Sequence, residues 1–237
     1  MAKTFHISNV RCRLTVEVRR PKHAVIRTDK QSAVGRVRVL VLVEGMHDIE
    51  FLRRISLVLR EADPRLPDLA QMERNQELIF VPTGGTPAAW SDRLSALGVP
   101  EFHLVDAETS PTTQARQQIA ATINRRPQCR AFVTSHRSLE NYLHPTAIDN
   151  VSWLKIEFGG TDDVPALVAQ GSYEGFSPTT PWNELSPRAR KRGCERAKRW
   201  LNTDAVEAMT PALLAERDPH GEITTWLATI AELAQCG

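Results

Sequence analysis

The feature that most constrains this chain is the run "RVRVLVLVE", residues 36–44. It is β-branched and almost uniformly apolar toward its end, the pattern of a strand buried on both faces. It stops abruptly at Glu44-Gly45, and Asp48 follows before an amphipathic pattern begins in which Ile49, Leu52, Ile55 and Leu59 fall near helical spacing. A carboxylate at the end of a buried strand is costly unless something uses its charge.

The same grammar recurs. "ELIFVP" (77–82) predicts a second strand, "TGGT" turns the chain, and Trp90, Leu94 and Leu97 mark a helix that stops at Gly98. "EFHLVD" (101–106) predicts a third strand, with a helix around 112–125. "CRAFVTS" (129–135) predicts a fourth, followed by "HRSLENYL". Strands separated by helical patterns imply an α/β fold with a mainly parallel four-stranded sheet flanked by helices.

This unit spans 36–150. Before it, 1–35 reads as an N-terminal β segment, with residues 9–29 forming a hairpin or two edge strands. After it, 151–237 reads as a loop and helical extension packed on the sheet. Within it, 159–187 is rich in Gly, Pro, Ser and Thr and predicts a long loop. Helices are expected near 187–201, 203–217 and 221–235, with Pro211 breaking the middle one. Trp153, Trp182, Trp200 and Trp226 read as packing residues of the extension, and Tyr142 as a packing residue beside the acidic edge. His47 and His136 read as surface histidines.

Ligands of open α/β sheets gather at the carboxyl ends of the strands. There the first strand brings Glu44 and Asp48, the third Asp106 and Glu108, and the fourth Ser138 and Glu140. The second brings Gly84-Gly85, which offers backbone amides and room for a cofactor or substrate to approach. Packed carboxylates repel one another, and a hard divalent cation with oxygen ligands resolves the conflict. With two such ions ~3.5–4 Å apart, both the attacking and the leaving oxygen of a phosphodiester displacement are stabilised.

Composition supports that direction. Net charge is only +2, yet residues 1–40 carry ten Lys/Arg against two acids. Residues 188–199, "RARKRGCERAKR", carry seven against Glu195 alone. Arg188, Arg190, Lys191, Arg192, Arg196 and Arg199 are thus candidate contacts to a phosphate backbone, made without reading sequence. The four cysteines are scattered, with no Cys-x-x-Cys pair, which points to reduced thiols and a cytoplasmic location. No apolar run approaches the ~20 residues of a membrane span, and no secretion signal opens the chain.

"VLVEGMHDIEFL", "FVPTGG" and "HLVDAET" together resemble the topoisomerase–primase (TOPRIM) fold. "SLENYLHP" is similar to the TOPRIM nucleases of the OLD (overcoming lysogenisation defect) type. The resemblance covers about 37–150 well and 186–235 loosely. It implies that Glu44, Asp48, Asp106, Glu108 and Glu140 hold one or two Mg²⁺ or Mn²⁺ ions. Glu44 would also serve as a proton acceptor, Ser138 would orient water or metal, and Lys198, or alternatively Lys191, would neutralise phosphate charge. One departure stands out. The family pattern is Asp-x-Asp, whereas this chain has Asp106-Ala-Glu108, and the extra methylene moves the carboxylate by roughly 1.5 Å.

The expected activity is therefore metal-dependent nicking or cutting of DNA, in phage defence or plasmid maintenance. No Gly-x-x-x-x-Gly-Lys-Ser/Thr loop is present, so any ATPase belongs to a separate partner chain. Homo-oligomerisation is compatible with all of this. Two alternatives stand beside the nuclease. One is a non-catalytic subunit that binds nucleic acid or an ATPase partner through an impaired metal site. The other is a metal-dependent phosphotransfer enzyme acting on small molecules.

Overall fold

The computed structural model describes residues 37–152, 154–176 and 178–237. The hairpin read at 9–29, the basic residues before Val37 and Trp153 lie outside them. The described residues form one compact unit.

The expected four-stranded sheet is present, and every pairing in it is parallel. The strands are β1 (Val39–Val43), β2 (Leu78–Pro82), β3 (Glu101–Val105) and β4 (Cys129–Val133), in the order β2-β1-β3-β4. Val41 pairs with both Phe80 and Phe102, and Phe102 with Arg130. The central strands β1 and β3 are buried at all five positions; β1 is accordingly apolar throughout, whereas β3 also buries Glu101 and His103.

Val39, Val41 and Val43 point into the main hydrophobic cluster with Phe102 and Leu104. That cluster takes Ile49, Phe51, Leu52 and Ile55 from α1 (Met46–Ala62). It also takes Ile223, Trp226, Leu227 and Ile230 from α9 (Glu222–Cys236). Residues on both sides of position 150 therefore share one core. A smaller cluster joins Ala120 and Ile123 of α4 (Thr112–Ile123) to Cys129 and Ala131 of β4.

Two expectations need correction. Trp90, Leu94 and Leu97 do not mark one helix. A short α3 (Pro87–Trp90) ends at Ser91, and a separate 3₁₀ turn, Ser95–Leu97, stops at Gly98 in the left-handed region. Leu97 is exposed, so the helical spacing meets no core to reward it. The loop expected over 159–187 contains a helix, α6 (Val164–Glu174). Asp163 caps it by accepting from the Ala166 amide, Pro165 sits in its first turn, and Val164, Val168 and Ala169 are buried.

Two further helices, α2 (Leu69–Arg74) and α5 (Pro145–Ser152), complete the central unit. In the C-terminal part, α7 (Pro187–Trp200) runs directly into a π-helical turn, Leu201–Ala205. Pro211 occupies the first position of α8 (Pro211–Arg217) behind the Thr210 cap, where a proline costs no hydrogen bond. No helix among the described residues is long and apolar enough to cross a membrane.

The strand order locates the site. From β1 the chain moves to β2 on one side, then returns past β1 to β3 on the other. The reversal opens a crevice at the carboxyl ends of β1 and β3. Those strands lead into Glu44 and Asp106.

Because α9 shares the core of the sheet, truncating Trp226 to Ala should destabilise the whole unit by about 3–5 kcal/mol. Urea unfolding followed by far-UV circular dichroism should show one transition shifted as a whole. A separate early transition would mean that the C-terminal helices fold independently.

Candidate metal centre

Each acidic side chain is placed by a local backbone device. The β1–β2 ladder continues past the strands: the Thr83 amide donates to the Val43 carbonyl (2.8 Å) and the Gly84 amide to the Glu44 carbonyl (2.9 Å). Gly84 and Gly85 are both left-handed, at φ of 68° and 74°, a conformation that only glycine adopts without strain. A Cβ at Gly85 would stand 4.0 Å from Glu44 Oε2, so the glycine pair keeps the space over that carboxylate open.

Asp48 lies in the first turn of α1 and reaches back to accept from the Gly45 amide at 2.8 Å, capping the helix while its carboxylate stays buried. The loops after β3 and β4 interlock. The Ala107 amide donates to Thr134 Oγ1 (2.8 Å), Thr134 Oγ1 donates to the His136 carbonyl (2.6 Å), and the Glu108 amide donates to the Arg137 carbonyl (2.9 Å). Glu108 takes φ of 56°, a left-handed conformation that is costly for glutamate and is held by these surroundings.

As a result, Glu44, Asp106 and Glu108 each present a carboxylate oxygen, all within 4.8 Å of one another. Asp48 and Glu140 are close enough to act electrostatically on Asp106. Burial, then the charges of Asp48, Glu140 and Glu44, push the Asp106 carboxyl well above its ordinary range. Burial, with Glu140 and Glu44, raises Asp48 to about 6. Burial also raises Glu44, with Glu108 adding to it and Arg116 opposing.

Lys198 of α7 stands 3.9 Å from Glu140. Burial works against its charge, but the carboxylates of Glu140, Asp48, Asp106 and Glu44 outweigh burial and raise its pKa. Ser138 is spent on capping: its hydroxyl and amide both reach Asn141 Oδ1, at 3.0 and 3.1 Å. Buried Asn141 in turn donates to the carbonyls of Gly159 and Asp162, tying down the segment that carries Glu140.

Two residues of the site were not singled out in the sequence. Arg116 of α4 is buried, donates to the Asp106 carbonyl and ion-pairs with Glu44 Oε1. Its only signal was a basic residue within an expected helix. Asn202, fully buried in the π turn, donates to Glu140 Oε1 and to the Lys198 carbonyl, both at 2.8 Å. It lies four residues after Lys198, and a π turn at a functional helix end is a recurrent device. Tyr142 is a packing residue: its ring meets Trp226 edge-on at 5.4 Å and its hydroxyl binds Glu222. The His136 ring meets Tyr142 at 4.5 Å, tilted by 55°, and His47 faces Glu195 at 3.9 Å.

The opposite end of β3 provides an internal contrast. Glu101 is as buried as any acid among the described residues, yet Arg126 (2.6 Å) and His103 (2.8 Å) both bond to it. Burial pushes its pKa up, but those two partners outweigh burial and hold it below its ordinary value. At the carboxyl end, five carboxylates face three cations: Arg116 on Glu44, Lys198 beside Glu140, and Arg137 at 3.8 Å from Glu108. Glu44 Oε1 is buried, and its partner is the Arg116 guanidinium. An all-oxygen donor set with unbalanced negative charge fits a hard divalent cation, Mg²⁺ or Mn²⁺.

No family model matches the chain, and no curated protein matches it. Among solved structures it is similar to the C-terminal region of the Xanthomonas campestris pv. campestris OLD protein. Identity there is 12% and the TM-score 0.47, over 86% of this chain and 97% of that one. It is also similar to the C-terminal region of the Burkholderia pseudomallei OLD protein. Identity there is 14% and the TM-score 0.48, over 84% and 98% of the two chains.

Repulsion among these acids has a measurable sign. The folded pKa of Asp48, about 6, exceeds the ordinary 3.8, so the folded state prefers the protonated acid. In chelator, stability associated with Asp48 is present below about pH 4 and is lost as pH rises through about 6. Asp48→Asn keeps an oxygen for the Gly45 amide and should raise metal-free stability at pH 7.5 by roughly 1–3 kcal/mol. Thermal melts of both proteins at pH 4 and 7.5 check this. A variant less stable than wild type at pH 7.5 would contradict it.

Proposed function

We propose that the chain is a metal-dependent nucleic-acid phosphodiesterase, a DNA endonuclease or nickase. The observation that carries the reading is the convergence of Glu44, Asp106 and Glu108 oxygens within 4.8 Å at the crevice between β1 and β3, with Lys198 beside them. Glu44, Asp106 and Glu108 would hold one ion, with Asp48 and Glu140 available to a second. Bound Mg²⁺ or Mn²⁺ supplies Lewis-acid charge for the phosphate and makes a water more acidic.

The chain's own residues do the rest. Glu44, with a raised pKa and with Oε2 facing the open glycine pair while Oε1 pairs with Arg116, accepts the proton of the attacking water. The water oxygen bonds to phosphorus as the bond to the leaving sugar oxygen breaks. Lys198 stabilises the charge that develops and is itself held by Glu140. Asn202 fixes Glu140, and Arg116 fixes Glu44 together with the Asp106 backbone. Arg188, Arg190, Lys191, Arg192, Arg196 and Arg199 hold the nucleic-acid backbone, and among the described residues none of the six forms an ion pair. A separate ATPase chain, self-association, a cytoplasmic location and a role in phage defence or plasmid maintenance complete the proposal; they follow from the resemblance and the scattered thiols.

One observation favours the second reading, a non-catalytic binding subunit. Arg116 already neutralises part of Glu44's charge, and the position after Asp106-Ala is Glu108, held left-handed. Supercoiled-plasmid nicking separates the two. Wild type with Mg²⁺ or Mn²⁺ should convert supercoiled to open-circular DNA, and chelator should stop it. Asp106→Asn and Glu44→Gln should lose at least ~100-fold, and Lys198→Met on the order of 100-fold. Equal traces for wild type and Glu44→Gln across a range of metal concentrations would leave the binding-subunit reading in place.

A further inference from the structure

Between α6 and α7 lies an open cleft of about 960 Å³ that the proposed chemistry does not use. Tyr173, Phe176 and Trp182 bring aromatic rings to it, and Arg192, Arg196 and Arg199 line its α7 side. The Tyr173 and Trp182 rings lie 5.6 Å apart at 55°, and Phe176 is 88% exposed. Trp182 is seated against the helix at Gly193, where an added Cβ would stand 2.9 Å from its ring. The three arginines recur at i, i+4 and i+7, one stripe along α7. Glu195, also in the lining, meets His47 at 3.9 Å, in the first turn of α1 next to Asp48, so the cleft adjoins the turn that carries that carboxylate.

Aromatic rings beside a row of cations that form no ion pair among the described residues suit one ligand chemistry. A duplex hides the faces of its bases and could use only the arginines. An unpaired strand can place bases on the rings and phosphates on the guanidinium groups together. The volume, at the upper end of what small-molecule pockets enclose, admits more than one base. We propose that this cleft binds unpaired nucleotides of the substrate strand, with Arg192, Arg196 and Arg199 on its phosphates, and so presents the adjoining phosphate to the carboxylate site. The inference rests on the nuclease reading and names its substrate as unpaired.

The test is anisotropy of dye-labelled oligo-dT, and of a duplex of equal length, on the full chain in chelator, where no cleavage occurs. Oligo-dT should bind at least ~10-fold more tightly than the duplex at equal salt. Trp182→Ala should weaken oligo-dT binding ~10-fold and leave the duplex unchanged, while Trp182→Phe retains it. Arg196→Ala with Arg199→Ala, both exposed, should reduce the salt slope for oligo-dT by about 1.4. Equal affinity for the two ligands overturns the proposal, as does an oligo-dT affinity and salt slope that the tryptophan and arginine variants leave untouched. Plasmid nicking is read separately. Oligo-dT binding that follows this pattern, with neither plasmid nor oligo-dT cut in Mg²⁺ or Mn²⁺, defeats the nuclease reading and leaves the cleft; cleavage with no effect of these variants on binding defeats the cleft.

Discussion

Carboxylates drawn together out of water raise one another's pKa, and a fold that gathers them must supply positive charge or keep them protonated. Here the gathering is enforced by the order of the strands. Reversal of direction between β2 and β3 sets the ends of β1 and β3 side by side, and the residues at those ends are Glu44 and Asp106. Everything around them, from the glycine pair that leaves Glu44 uncovered to the interlocked loops that hold Glu108 left-handed, preserves that closeness.

The molecule shows both solutions to a buried acid. At the amino end of β3, Glu101 is answered in full by Arg126 and His103 and behaves as a structural ion. At the carboxyl end the answer is incomplete. Arg116 and Lys198 reduce the repulsion without removing it, and Asp106 stays well above its ordinary pKa. A protein that needed only stability could have finished the job with one more arginine or with apolar side chains. The unfinished balance is what an incoming cation would complete.

The strands and their acidic ends were legible in the sequence because each is announced by a contiguous signal: a β-branched run, a carboxylate, then glycine or a helical period. The supporting residues were not. Arg116 and Asn202 are ordinary polar residues on helices, and their importance comes from which strand end the helix returns to, a matter of tertiary packing. α6 was hidden because "VPALVAQGSYE" sits in a Gly- and Pro-rich stretch, where composition argued for a loop while the Asp163 cap and the buried Val164 and Val168 decided for a helix. Conversely, the periodicity of Trp90, Leu94 and Leu97 promised a helix that no core was there to stabilise.

The most direct measurement of the central claim is anomalous diffraction from crystals soaked in Mn²⁺. This account predicts an anomalous peak bounded by the carboxylate oxygens of Glu44, Asp106 and Glu108, and its loss in Asp106→Asn crystals. A map with no peak there, and with Glu44 still paired to Arg116 at saturating Mn²⁺, would contradict it.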